Sequence, residues 1–279
     1  MEMRLRIRIG HGLVYALLLA IVVFAVFPSL WMVATSVKPS NEVFTSPPRW
    51  LSSNPTFASY HKVVFESSIP KAFVNSAIVT ICTTVLTLML SILAGYGFSR
   101  YRFRGARPLS TAMLFGQMMP GVVIVMPLYT MFSKMHILDK YIALIIANMA
   151  ITIPLGVMML RSFFQTVPTE LEEAAKIDGT TGLGALFRII LPISMPGITA
   201  VSVYTFLHTW EEFLFALNFT NSADVKTLPI AVHEFSGEFT IDWGSMMSAS
   251  TVVSIPVLLI FILCKKYFIR GLAEGSVKG

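Results

Sequence analysis

The chain has 279 residues, of which 55% are hydrophobic and 13% charged, with a net charge of +6 and a mean hydropathy of +0.72. A soluble core of that size cannot hide so much apolar side chain, which excludes a water-soluble globule. The basic surplus would suggest nucleic acid in a soluble chain; in a membrane chain it reports topology, so no nucleic-acid partner is expected.

Uncharged runs extend from Leu13 to Val37, Ala72 to Ser99, Pro108 to Ser133, Tyr141 to Leu160, Ile189 to Trp210 and Trp243 to Cys264. A hydrocarbon core about 30 Å thick needs roughly 20 apolar residues of helix. The pattern therefore predicts an all-α membrane protein, a single domain over residues 1–279 with six transmembrane helices. The first run follows Arg4, Arg6 and Arg8 as a secretory signal would, but it is too long and lacks a small-residue cleavage site, so a retained helix is expected. The fifth helix is expected to start near Gly197 and to run past Glu211 and Glu212 to about Phe219. Pro120, Pro127, Pro154, Pro196 and Pro256 interrupt the runs, each removing a backbone donor. Cys82 and Cys264 lie in or beside apolar runs without metal or redox spacing and read as small buried hydrophobes.

Six spans place both termini on one side, and the basic residues choose which. Fourteen Lys and Arg fall on the segments holding the termini, the 100–107 turn and the 161–188 loop, against seven on the opposite segments. The positive-inside rule makes the first set cytoplasmic. The outer face then carries a loop from Lys38 to Lys71 and another from Thr220 to Asp242, suited to an external partner or to plain connection. No internal repeat of the kind that builds secondary transporters is visible.

The cytoplasmic segment 163–195 is patterned as structure. Thr169 followed by Glu172 reads as a capping box after Pro168, and Glu170, Glu172 and Glu173 favour that helix N-terminus. Asp178 and Gly179 end the helix. A second short helix sets Leu183, Leu186, Phe187 and Ile190 on one apolar face before Pro192 is expected to stop it. Two such helices need a cover: small Ala174 and Ala175 allow close approach of a partner, and Glu173 can pair with a basic group on it.

Glu173-Ala174-Ala175, Lys176-Ile177-Asp178-Gly179 and Ile189 with Leu191-Pro192 resemble the EAA loop of ABC importer permeases. Ser29-Leu30-Trp31-Met32 to Lys38-Pro39, Ala94 to Arg100, Leu160-Arg161-Ser162-Phe163-Phe164 and the ending from Gly271 to Gly279 extend the likeness over nearly the whole chain. They are similar to the smaller permease of maltose-type carbohydrate importers; Thr180 departs from the alanine often found after the Asp-Gly pair. The resemblance implies a multi-pass subunit of a bacterial or archaeal cytoplasmic membrane, forming half a sugar pathway with a second permease. It further implies an extracytoplasmic substrate-binding protein and a dimeric ATPase that uses ATP and Mg, with no cofactor on this chain. Its 163–195 loop would form coupling helices, with Glu173, Ala174, Ala175, Asp178, Gly179, Leu183, Phe187 and Pro192 at the ATPase contact.

Glu211 and Glu212 are the only acidic residues inside a predicted span, and at about 1.5 Å per residue Glu211 lies about 21 Å along it from Gly197. A charge near the bilayer centre costs roughly 2.5–3.5 kcal/mol on insertion scales, so both carboxylates are expected to face a wet pathway or a partner chain. With His208 and Trp210 they make a polar and aromatic cluster of the kind sugars bind. Asn75, Gln117 and Asn148 are weaker pathway candidates, since single amides in helices more often bridge neighbouring helices. His11, His61, His136 and His233 lack ligand spacing, so no metal is expected. No catalytic or phosphate-binding motif is present. ATP hydrolysis is therefore assigned to a separate subunit, the alternatives being a self-sufficient carrier or a membrane-embedded enzyme using Glu211, Glu212 and His208.

Overall fold

The computed structural model describes the backbone of residues 2–237 and 240–276 and the side chains of residues 14–237 and 240–265. The side chains of Arg4, Arg6, Arg8, His11, Lys266, Arg270 and Lys278, and those of the 271–279 ending, lie outside the described residues. Among the described residues the chain is helical, with one isolated β-bridge between Ser236 and Ile241.

Among the described residues four helices are each long and apolar enough to cross a membrane: α1 (Glu2–Ser36), α3 (Ile69–Arg100), α6 (Tyr141–Thr166) and α13 (Trp243–Ser276). Two bent pairs raise the number to as many as six. One joins α4 (Ala106–Met118) to α5 (Gly121–Lys134) at 105°, and the other joins the stretch Gly182–Ile193 to α10 (Met195–Trp210) at 81°.

Two expected spans are thereby corrected. The 108–133 run is two helices, because Pro120 takes an extended ψ of 134° and supplies no N–H to carry α4 onward. The fifth helix begins at Met195 and stops at Trp210 rather than continuing to Phe219. A separate helix, α11 (Leu214–Phe219), starts after it, because the Glu212 carboxylate accepts the amides of Phe215 at 2.5 Å and Ala216 at 3.0 Å. By contrast Pro28, Pro127, Pro154 and Pro256 sit inside continuous helices, and Pro196 occupies the first turn of α10, where its missing donor costs nothing.

The chain forms two compact units. In the unit of residues 1–69 and 232–254, the 38–69 segment is packed structure. Buried Lys38 donates to the Arg49 carbonyl at 2.7 Å and lies 4.3 Å over the Trp31 ring. Trp31 and Trp50 meet edge to face, and Ser36 bonds the Tyr60 hydroxyl of α2 (Ala58–Phe65) at 2.8 Å.

The unit of residues 70–231 and 255–279 holds two apolar clusters. Val79, Phe132, Leu144, Ala147, Phe215 and Phe219 form one; Tyr96, Leu160, Phe164, Leu186, Ile190 and Val201 form the other. Between them α3 and α6 approach closely enough for the Thr87 and Thr152 hydroxyls to bond at 3.0 Å. A Cβ on Gly156 would lie 2.5 Å from Ser91 Oγ. Helix pairs in lipid gain most of their packing from such close approach of small residues. Gly156→Val is accordingly expected to cost about 1–3 kcal/mol by overpacking, measured as a loss of unfolding free energy in mixed micelles.

Candidate functional site

The 163–195 loop holds two short helices, as its residues predict, but its polar groups are used differently. α7 (Glu170–Ile177) ends at Asp178, and Gly179 adopts φ 83°, a left-handed conformation that side chains resist. Its amide reaches the Lys176 carbonyl at 3.0 Å while that of Thr180 reaches Ala175 at 2.9 Å. Thr181 then starts the second element, its Oγ1 accepting the Gly184 amide at 3.1 Å.

The expected capping box does not form. Thr169 has φ −68° and ψ −25° and makes no side-chain cap. Glu172 is drawn inward by a stronger partner: Arg100 Nε pairs with one carboxylate oxygen, and the Tyr96 hydroxyl donates to the other at 3.0 Å. Arg100 also donates to the Val167 carbonyl at 2.9 Å, and the Gly182 carbonyl lies 3.4 Å from the Tyr96 hydroxyl as an alternative acceptor for its one proton. Charge-assisted bonds of this kind outweigh a neutral cap. The sequence offers Glu172 a cap at Thr169 and gives no sign of its pairing with Arg100 and Tyr96, since 72 positions separate the two charges.

The second helix ends at Ile193, one residue past Pro192, but it does not keep one apolar face. α8 (Gly182–Ala185) leads into a π turn at Leu186–Ile190 and then α9 (Leu191–Ile193). The wider turn relieves the chain of the bond that Pro192 cannot donate. Leu186 and Ile190 are buried in the second cluster, whereas Leu183 and Phe187 are 59% and 58% exposed. Ile177 is 87% exposed, with Glu173, Ala174 and Asp178 open beside it. Ala175 is buried and packs within the chain rather than presenting itself to a partner.

The pathway candidates divide. Gln117, His208 and Glu212 line a cavity of about 410 Å³ with Gly116, Gly121 and Ile151. Gln117 donates to the Ile151 carbonyl at 2.7 Å, and His208 Nδ1 is buried without a hydrogen-bond partner among the described residues. Trp210, Glu211 and Asn148 are not brought to this cavity. Trp210 packs against Phe73 and Phe206 with ring centroids 5.5 Å from each, Glu211 is exposed, and buried Asn148 donates to the Leu144 carbonyl at 2.9 Å.

Asn75 ties α3 to the 220–231 segment, donating to the carbonyls of Asp224 at 2.9 Å and Lys226 at 2.8 Å and accepting the Tyr141 hydroxyl at 2.7 Å. Asp139, at φ 60°, aims its carboxylate at the amides of Ser222 and Asn221, 3.0 and 2.9 Å away, and these hold its pKa below the ordinary 3.8. A lowered carboxylate pKa stabilises the fold above the unfolded-state value and loses that stabilisation as pH falls through the folded one. The gap in thermal midpoint between the wild type and Asp139→Asn is therefore expected to stay constant above pH 3.8 and to close below it.

Residues 87–274 match the family described as binding-protein-dependent transport system inner membrane component. The chain belongs to this family. It is 35% identical over 274 residues to the inner membrane ABC transporter permease protein YcjP of Escherichia coli, covering 98% of this chain and 97% of that one. It is 33% identical over 272 residues to the trehalose/maltose transport system permease protein MalG of Thermococcus litoralis, covering 95% of each chain. Identity is 32% over 270 residues to the diacetylchitobiose uptake system permease protein DasC of Streptomyces coelicolor, covering 96% of this chain and 98% of that one. Its fold matches a chain of a bacterial ABC transporter for the acidic polysaccharide alginate, with a TM-score of 0.80 at 18% identity, covering 92% of this chain and 96% of that one. For an inner membrane permease of this family, the exposed 171–187 surface and the polar cavity are the two features that need a function.

Proposed function

We propose that this chain is the permease subunit of an ATP-driven importer for a sugar or sugar derivative, forming half the pathway with a second permease. A cytoplasmic ATPase drives it through the 163–195 loop, and an extracytoplasmic binding protein delivers the sugar. The observation that carries the coupling role is the exposure of Ile177, Leu183 and Phe187 beside the carboxylates of Glu173 and Asp178. That loop is fastened from within by buried bonds, and such an apolar patch rimmed by charge marks a docking face. The sugar class is supported by the relatives named for trehalose/maltose and diacetylchitobiose, and by a cavity whose Gln117, His208 and Glu212 offer donors and acceptors to hydroxyl groups.

The deciding experiment is co-purification from native membranes in mild detergent. A second permease and an ATPase are expected with the chain, and ATP-independent sugar flux by the purified chain alone would establish the carrier reading instead. The excess of basic residues supports a cytoplasmic loop. A Lys176→Cys variant is accordingly expected to resist impermeant thiol reagents in intact cells and to react in inverted vesicles; labelling in intact cells would reverse the topology.

A further inference from the structure

Of the four single-helix candidate spans, α3 alone has no proline in its interior; α1 carries Pro28, α6 Pro154 and α13 Pro256. Its 32 residues, at about 1.5 Å each, make a rod about 48 Å long. An unbroken ladder of backbone bonds resists bending, whereas each interior proline deletes one bond and invites a kink.

Polar groups fasten both ends of this rod within one compact unit. At its carboxyl end Arg100 holds the Val167 carbonyl and the Glu172 carboxylate, and Tyr96 donates its one proton to that carboxylate. At its amino end buried Asn75 holds the Asp224 and Lys226 carbonyls, Ser76 Oγ accepts the Leu228 amide at 2.8 Å, and Lys71 pairs with the Asp224 side chain. Tyr141 closes that end by donating to Asn75. These are directional bonds, and those of Tyr96 to Glu172 and of Leu228 to Ser76 are buried, where low dielectric holds geometry more firmly than apolar contact does.

We infer that Arg100, Tyr96 and Asn75 are positioning residues that make α3 a connecting rod, carrying displacement of the 163–195 loop to the 224–228 segment at its far end. This rests on the loop being the ATPase docking face. α6 reaches from Tyr141 beside the same far clamp to the loop, but it contains Pro154, and the remaining routes pass through the broken pairs. α3 is the stiff path between the two clamps. Two sites joined by a stiff element influence one another through any equilibrium that both bias.

The test uses the assembled complex in nanodiscs, with hydrogen–deuterium exchange read on peptides covering residues 221–231, without nucleotide and with ATP plus vanadate. Wild type is expected to change exchange there by about fivefold or more, the lower end of ordinary site-to-site coupling. Glu172→Gln and Asn75→Leu are each expected to reduce the change below about twofold while ATPase association and nucleotide occupancy remain. Asn75→Leu lies far from the loop and should preserve the loop's own response, which a misfolded chain would lose. The exchanged pair Arg100→Glu with Glu172→Arg should regain part of the distant response. A full response in Glu172→Gln or in Asn75→Leu, or none in wild type with ATPase bound, overturns the rod and leaves the docking face standing. Absence of ATPase from the wild-type complex overturns the docking reading, and the rod with it.

Discussion

Replacing Ile177 and Phe187 together by Asp is expected to abolish ATPase association and to reduce ATP-dependent uptake by roughly 10²–10³-fold, while the chain still inserts at normal abundance. The two side chains are 87% and 58% exposed, so their loss removes little packing inside the chain, and surface changes of this kind alter stability by about 0.5 kcal/mol or less. At an interface the same groups become central apolar anchors, each worth about 2 kcal/mol or more when truncated. Asp adds the cost of desolvating a carboxylate where an apolar anchor would sit. Phe65→Asp is the matched control: Phe65 is 74% exposed on α2 and outside the loop. Pull-down of the ATPase and uptake in vesicles are the measurements. Association at wild-type level in the double variant would leave the exposed face without a docking role. Gly179→Val should act more weakly, because forcing a β-branched residue to φ 83° strains one turn by about 1–2 kcal/mol and leaves the anchors in place.

The residues that were legible in the sequence are those whose roles depend on near neighbours or on composition. Apolar runs declare helices in a membrane by length alone, and Gly179 declares its turn because little else tolerates a positive φ. The prolines were not legible individually: Pro120 breaks a span, while Pro127, seven residues later, sits inside a continuous helix. The difference lies in whether the chain can satisfy the freed carbonyls elsewhere, which is a tertiary matter. Leu183, Leu186, Phe187 and Ile190 have ideal α spacing, but the π turn through Leu186–Ile190 and the second apolar cluster bury only two of them. Glu211 and Glu212 look alike in a sequence; the amides of α11 capture one and leave the other exposed. Glu172 had a plausible local partner in Thr169 and lost it to Arg100, a competition between a near weak bond and a distant strong one that periodicity cannot register.

That competition sets the second large effect. Arg100 and Glu172 are both nearly buried, with side chains 9% and 5% exposed, so Arg100→Ala should strand a carboxylate in a low dielectric and cost about 3–5 kcal/mol of stability. Glu172→Ala should cost a comparable amount by stranding the guanidinium, which keeps only the Val167 carbonyl and the Ser99 hydroxyl. The double variant Arg100→Met with Glu172→Leu removes both charges and returns similar volume, and buried ion pairs replaced in this way are often neutral or better. It should therefore lose less than Arg100→Met or Glu172→Leu alone, giving a strongly negative interaction term in the double-mutant cycle of these three variants' unfolding free energies. Tyr96→Phe separates out the phenol, whose bond to the ionised Glu172 is worth about 1.5–3 kcal/mol. Strictly additive losses across the cycle would mean that the two charges stabilise the chain independently. A negative term with full ATPase binding but reduced uptake in the double variant would separate what holds the loop in place from what moves it.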